Sequence, residues 1–442
     1  KKLLLLLFLG FTLVGFSQTT AIPDPNFEQA LIDLGYDTPP IDGSVPTNNI
    51  WSIIELDVSN KGISDLTGIE DFGALSILNC SLNSLATLDV SDNFELGILD
   101  CSNNQLTNLD LPDVIGNALT ELYCSSNQLT SLDVSNNTAL TFLRCYTNQL
   151  TSLDVSNNIA LTTLHFSDNP STSLDVSNNI ALTTLYCEDN QLTSLDVSNN
   201  IALERLSVWN NQLTSLDVSN NTALTDLVGS YNQLTSLDVS NNTALTFLFW
   251  RNNQLTDLDV SNNTALETMS IHYNQLTDLD VSNNTALTFL RCNNNQLTSL
   301  DLIGATALEY VFCDNNQFSS LDMSNNTALF ALRCYNNQLT SLDVSNNTAL
   351  EYLECYNNQL ISLDVRNGNN SIIDTFDTTN NPNLTCIYVD DADYMNANWA
   401  DLIDPNSTFV ENEAECEVLS IGDNALELDV FIYPNPTDNY LF

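Results

Sequence analysis

Carboxylates recur along this chain at one fixed interval. Asp133 is followed by Asp154, Asp175 and onward to Asp364, twelve residues sharing a single 21-residue register. Oxygen ligands in such a column suit a hard cation, so calcium bridging successive copies is one chemistry the spacing permits. The other is a turn in which each Asp accepts hydrogen bonds from the following Ser and from backbone N–H groups. Like charges one copy apart repel by up to about 1 kcal/mol per pair at ~4 Å in water, and one of these arrangements must relieve that. Carboxylate pairs at glycosidase-like separations occur throughout a ladder of this kind, so they carry no information about catalysis. His165 and His272 stand about five repeats apart. No Gly-rich phosphate loop, zinc-binding HExxH or GxSxG sequence is present. Catalysis needs convergent acid, base and nucleophile. The chain is expected not to be an enzyme and to need no cofactor, calcium being the one ion considered.

Cysteine falls into two groups. Cys80, Cys101, Cys124, Cys145, Cys187, Cys292, Cys313, Cys334 and Cys355 occupy one inward position of the repeat, where Cys serves as a small apolar filler. No His or second Cys lies beside them at ligand spacing, which disfavours a metal column. Cys386 and Cys416 lie outside the regular array and predict a disulfide closing a C-terminal cap in an exported chain. Along the Cys column the residues run Cys187, Val208, Gly229, Trp250, Ile271 and Cys292. Gly229 is expected to vacate the space that Trp250 fills, because interiors tolerate neither voids nor overlap.

Positions that vary between copies form the third group. The NQLTSLDVSNN portion hardly changes from copy to copy, while the preceding segment differs in nearly every one. Five of the few basic residues fall there: Arg144, Arg205, Arg251, Arg291 and Arg333. With them stand Phe142, Tyr146, Tyr186, Trp209, Phe247 and Phe249. Further on come Phe289, Tyr310, Phe312, Tyr335, Tyr352 and Tyr356. Arg, Tyr and Trp are enriched at binding hot spots, so these residues are the candidate ligand-binding set. The alternative is an exposed sheet face filled by β-formers for propensity alone.

Elements of one kind must position all three groups. In Leu143-Arg144-Cys145, alternation puts Leu and Cys on one side and Phe142, Arg144 and Tyr146 on the other, as a strand requires. Stacked in parallel ~4.8 Å apart, such strands bury Leu and Cys between rungs, and Asn148 turns inward to satisfy backbone groups at the bend. In the second half of the unit, Leu153 and Val155 alternate with Asp154 and Ser156, permitting a second short strand on the opposite wall. The spacing Leu140xxLeu143xCys145xxAsn148xLeu150 resembles the leucine-rich repeat family over roughly residues 55 to 385, and Ile63-Ser64-Asp65-Leu66-Thr67-Gly68-Ile69 resembles its internalin-like variety. The expected fold is a mainly β, right-handed leucine-rich repeat solenoid with parallel strands, a short N-terminal helical cap and little other helix. The resemblance implies that the concave strand face binds ligands.

The ends of the chain fit this reading. Lys1-Lys2 followed by the apolar run Leu3 to Phe16, with Gly15 and Ser17 before Gln18, predicts a signal peptide over 1–17. The run is shorter than the ~20 residues a membrane span requires, so no transmembrane segment is expected. Residues 18–54 are assigned to an N-terminal cap whose helix over 24–35 presents Phe27, Ala30, Leu31 and Leu34 at helical spacing, with the first rung at Ile54, Leu56 and Val58. The array is assigned to 55–366, with a two-residue insertion within Leu111 to Ala118, and the C-terminal cap, anchored by Trp399, to 367–418. In 419–442, Tyr433-Pro434-Asn435-Pro436 resembles the opening strand of the sorting domain read by the type IX secretion machinery, with the remainder of that domain cut short.

Charge narrows the partners. There are 56 acidic residues against 9 basic ones, a formal net charge of −47. Such a chain repels phosphate backbones and anionic membranes, so no nucleic acid partner is expected. The sequence reading is therefore a secreted or outer-cell-surface protein that binds a protein partner or mediates adhesion. A glycan ligand is the main alternative, since aromatic faces also stack on sugars, and a purely structural spacer is the third.

Overall fold

The computed structural model describes residues 18–112 and 118–422. The stretch expected to be a signal peptide (1–17), most of the insertion, and from Asp423 onward the stretch expected to open a sorting domain lie outside them. The fold is a mainly β parallel solenoid, and the chain divides between Leu266 and Glu267 into two compact units.

In the first unit, Thr19–Ala21 pairs antiparallel with Ser44–Pro46, and helix α1 spans Pro25–Asp33. Asp24 caps α1, accepting from the N–H groups of Asn26 and Phe27 at 2.8 and 3.2 Å. Its other oxygen accepts from the Ser64 N–H and hydroxyl at 2.7 and 2.8 Å, fastening the cap to the first turn of the array. Phe27, Ala30 and Leu31 are buried as predicted, but Leu34 is 44% exposed. It occupies the C-cap, where the chain leaves the helical register, and Gly35 follows at φ +81°. Ile54 is likewise exposed, and the first rung buries Ile53, Leu56 and Val58 instead. This is the LxxLxL spacing of every later rung, which the unbroken alternation read from Ile54 had shifted by one residue.

Regular rungs follow from Phe142–Arg144 through Phe247–Phe249. Leu143, Leu164, Leu185, Leu206, Leu227 and Leu248 pair in register, each 0–1% exposed. From Leu99 to Leu122 the pairing advances two residues more than the regular step, which accommodates the predicted insertion. The Asn at the bend faces inward. Asn148 Nδ2 donates to the carbonyls of Cys124, Cys145 and Tyr146 at 3.0, 3.2 and 3.4 Å, and Oδ1 accepts the Leu129 N–H at 3.0 Å. The cysteines of this unit's column are fully buried and free, with Cys101 and Cys124 thiols facing backbone carbonyls at 3.5 Å. Burial pushes the Cys124 thiol up to about 12, with the Asp100 carboxylate adding to the shift, so these are unreactive fillers.

The second wall forms less completely than its alternation suggests. Leu153 and Val155 are buried and Asp154 is exposed, as predicted. Yet among the described residues of this unit, ladder bonding on that wall is confined to Thr87–Asp89 with Asn108–Asp110 and to one bridge between Asp154 and Asp175. Only a short extended segment separates two turns here. Asp154 Oδ1 accepts the Ser156 N–H at 3.0 Å, so that donor serves the turn and not a ladder.

Each first-half strand is followed three residues on by a residue in the left-handed region, Asn at nine of sixteen rungs and otherwise Leu82, Ser126, Thr147, Asp168, Asp189, Tyr231 or Tyr273; Thr147, at φ +54°, is the one β-branched residue among them. A β-branched side chain is strained most by that conformation, and Asn tolerates it. Thr147→Asn is expected to stabilise the protein by about 1 kcal/mol, read as a higher urea midpoint at unchanged slope. An unchanged or lower midpoint would show that the position carries no strain.

In the second unit, Met269, Leu290, Val311, Leu332 and Leu353 pair in register, followed by Phe376. A second-wall ladder runs through Ser341–Asp343, Ser362–Asp364, Cys386–Tyr388 and Thr408–Val410. The array ends on a cap of two helices, α2 at Ala392–Trp399 and α3 at Glu413–Gly422. Trp399 is only half-buried, against Phe376 at 6.2 Å, and Met395 and Phe409 share the anchoring. Cys386 and Cys416 are joined by a disulfide. Arg366 pairs with Asp364 and, at 3.1 Å, with Glu413, and its guanidinium lies 4.8 Å from the Tyr388 ring centre, tying α3 to the last rungs.

Candidate binding face

All seventeen residues of the candidate set lie on the outward side of the first-half strands or immediately after them, and none is buried. Arg205 is exposed and the other sixteen are half-buried. Strand alternation accounts for this, since the residues between them are the buried Leu and Cys columns.

In the first unit, the Arg144 guanidinium sits 4.9 Å from the Phe142 ring centre and 5.7 Å from that of Tyr123. Tyr123 packs on Phe142 at 5.1 Å and donates to Glu121 at 2.7 Å. One rung on, His165 meets Tyr186 edge to face at 4.4 Å and Tyr146 at 6.3 Å. Burial, then the Arg144 charge, lowers the His165 pKa to about 4, so the imidazole is neutral at physiological pH. Further along, Tyr231 is edge to face with Trp209 at 5.7 Å and lies under Arg251 at 5.0 Å, while Phe247 and Phe249 stack at 4.0 Å. Arg205, exposed, reaches the half-buried Asp226 at 3.7 Å, a solvent-accessible pair of little weight for stability.

In the second unit, Phe289, Tyr310 and Phe312 form a cluster extended by Phe330, which lies 5.5 Å from Tyr310. Arg333 lies between Phe312 and Tyr352 at 5.0 and 4.9 Å, donates to the Tyr352 hydroxyl at 2.7 Å and pairs with Glu354 at 3.0 Å. Arg333 is held by these contacts, whereas Arg291, whose only described partner is Asn293 at 3.1 Å, is the better placed to meet a ligand. Tyr335 and Tyr356 stack in parallel at 4.4 Å beside Asp314, whose burial raises its carboxyl above the usual range.

Tyr123, His165, Tyr231 and Phe330 belong to these clusters and were not in the sequence-derived set. Tyr123 and His165 occupy the same outward strand position as Arg144 one rung either side, a signal present in the alternation. Tyr231 sits at the left-handed residue after the strand, where alternation no longer assigns a side.

The Asp column resolves toward the turn. Asp154, Asp196 and Asp238 each accept the N–H of the Ser two residues on at 2.9–3.0 Å. The Ser hydroxyl and then its N–H hold each carboxyl below its ordinary value, outweighing the opposing effect of desolvation. A folded pKa below the unfolded one contributes stability that is present above the unfolded value and lost as pH falls through the folded one. Ser198→Ala is expected to raise the Asp196 pKa in a carbon-13 NMR titration, and a chelator to leave the melting temperature unchanged. A melting temperature that falls on adding chelator would restore calcium to the column. Among the described residues, no group of three or more His, Cys, Asp or Glu could hold a metal ion. Ser270 and His272 hydrogen bond at 2.9 Å, but both are 2% exposed and closed to a substrate.

This repeat spacing, with its inward Leu column and Asn at each bend, defines a leucine-rich repeat solenoid. No protein-family model matches the chain, and no curated protein matches it by sequence. Among solved structures, the functional domain of InlJ from Listeria monocytogenes is 35% identical, with 84% of this chain and 76% of that one covered and a TM-score of 0.67. That domain is described as including a cysteine ladder. The internalin InlF from the same organism is 24% identical over 81% of this chain and 96% of its own, with a TM-score of 0.56. The plant peptide hormone receptor RGFR1 in complex with RGF2 shares the fold at 18% identity and a TM-score of 0.54, with 77% of this chain and 68% of that one covered. The chain belongs to the bacterial internalin-like leucine-rich repeat family.

Proposed function

We propose that the protein is an exported, surface-displayed or secreted binding protein that recognises a protein partner through the variable strand face and so mediates adhesion. The observation that carries this reading is the division of each rung. The positions that repeat are buried or form turns, whereas the positions that vary face outward and carry Arg on aromatic rings. Aromatic groups held by stacking lose little conformational freedom on binding, which favours them as anchors. A leucine-rich repeat receptor solved with RGF2 supports a protein ligand for this fold. The signal peptide and the type IX sorting stretch, both outside the described residues, supply the export part of the proposal. No helix among the described residues is long and apolar enough to cross a membrane.

The test is capture by the immobilised full chain from panels of surface proteins and of glycans. Phe142→Ser, Tyr146→Ser, Tyr186→Ser and Trp209→Ser combined are expected to lower affinity for a captured protein at least about 100-fold, at hot-spot costs of ~2 kcal/mol or more per anchor, with the melting temperature little changed. Arg144→Gln with Arg291→Gln should weaken a protein or anionic glycan and leave a neutral sugar unaffected. Capture retained after the aromatic replacements would remove this face as the site.

A further inference from the structure

Large apolar side chains stand exposed on one column outside the strand face. Ile159, Ile180 and Ile201 are 62%, 61% and 63% exposed and occupy the same place on three successive rungs, just after the second Asn of the repeat. The same place carries Thr138 before them and Thr222, Thr243 and Thr264 after them. Solenoid formation therefore does not require Ile there, and the substitution is confined to one run.

The pitch of this run is fixed by its neighbours. Asn179 Nδ2 donates to the Asn158 carbonyl at 3.0 Å and Asn200 Nδ2 to the Asn179 carbonyl at 2.9 Å, one residue before each Ile. The following strands pair in register, Thr163 with Thr184 and Thr184 with Arg205. The three side chains are thus one rung apart, ~4.8 Å. An extended peptide presents same-face residues every ~6.6 Å, and an α-helix one turn every ~5.4 Å, so neither keeps step with the run. A second solenoid of the same rung spacing does.

The flank is also neutral in a chain of net charge −47. Asn157, Asn178 and Asn199 each lay their amide on the preceding rung, donating to the carbonyls of Ser135, Ser156 and Ser177 at 3.1, 3.1 and 3.2 Å. Ala160, Ala181 and Ala202 follow on the other side. Like-charged copies can approach on such a strip more readily than along the Asp column.

We propose that the Ile159, Ile180 and Ile201 run is a self-association surface that joins two copies of this chain about a two-fold axis through Ile180, with each Ile159 against the partner copy's Ile201. A two-fold contact is self-complementary, and a run of three fits it with its middle member on the axis. Three side chains bury far less than the ~800 Å² per partner of a standard interface, so the dimer is weak and concentration dependent. The Asp columns repel across it, and added salt strengthens it by screening them.

The experiment is sedimentation of the full chain over a range of concentrations at low and high NaCl. A monomer–dimer equilibrium that shifts at least about tenfold toward dimer in high salt is expected from that screening. It is lost in Ile159→Thr, Ile180→Thr, Ile201→Thr, which installs the residue that neighbouring rungs already carry. Mild oxidation should cross-link Ile180→Cys with itself and a mixture of Ile159→Cys with Ile201→Cys, but not Ile159→Cys alone; the column cysteines are buried and do not interfere. A chain that remains monomeric throughout, a dimer unmoved by the triple Thr change, or failure of Ile180→Cys to cross-link would each overturn the proposal.

Discussion

Gly229→Leu is expected to be among the most damaging single substitutions in the array, and Trp250→Val to relieve most of its cost. A Cβ on Gly229 would lie 2.3 Å from Trp250 Cζ3 and 2.4 Å from Cη2, well inside van der Waals contact, and Trp250 is fully buried. The ring fills the place left by the missing side chain one rung back. Adding a Leu there cannot be absorbed by rotating a surface group, so the cost is at the upper end of overpacking, about 3 kcal/mol or more. Trp250→Val alone removes a large buried side chain and leaves a void, at ~3–5 kcal/mol. Combined, the Leu occupies space the indole has vacated, and Gly229→Leu becomes nearly neutral. A double-mutant cycle by urea denaturation should therefore give a coupling beyond ~2 kcal/mol, with the double variant more stable than additivity allows. Equal costs of Gly229→Leu in both backgrounds would refute the pairing.

That pairing was legible because a column could be read down the sequence once the period was known. The repeat set the strand register, the buried Leu and Cys columns, Asn148 at the bend and the outward side of the candidate face. Tyr123 and His165 follow from the same alternation that places Arg144, whereas the rest of what escaped lay where the period breaks, where the strand ends or where one residue type has two uses. Leu34 and Ile54 sit at the start of the array, where no preceding copy fixes the register. Trp51, though 61% exposed, packs on Gly73, whose Cβ would come within 2.6 Å of the ring, in a region with no regular column to reveal the contact. Tyr231 escaped because a left-handed residue follows the strand and redirects its side chain. The second Asn of each LDVSNN, as at Asn158, Asn179 and Asn200, is fully buried and forms a second ladder. Asn suits both a turn and an inward ladder, so its type could not decide between them.

The two Asn ladders should differ in what they contribute, and the difference follows from their acceptors. Asn211, in the first, donates through Nδ2 to the carbonyls of Cys187, Val208 and Trp209 at 2.9, 3.1 and 3.3 Å, and its Oδ1 accepts the Leu192 N–H at 2.9 Å. Asn200, in the second, donates to Val176 and Asn179 at 3.0 and 2.9 Å, but its Oδ1 is buried and accepts nothing from the protein. Replacing Asn211 by Ala strands a buried N–H as well as carbonyls, at ~1–3 kcal/mol per orphaned group, so a total of about 3–5 kcal/mol is expected. Asn200→Ala also removes an oxygen that was itself unsatisfied, and should cost roughly half as much. Asn211→Asp should be worse than Asn211→Ala at neutral pH, because a carboxylate would face three carbonyl oxygens with no donor to offer. Its pKa would then be raised in the folded state, so the penalty relative to Asn211→Ala should shrink as pH falls through that value, when a protonated Asp regains one donor. Urea denaturation of the three variants at neutral and acidic pH separates these outcomes. If Asn200→Ala costs as much as Asn211→Ala, or Asn211→Asp is no worse than Ala at neutral pH, then acceptor satisfaction is not what holds the rungs together at their bends.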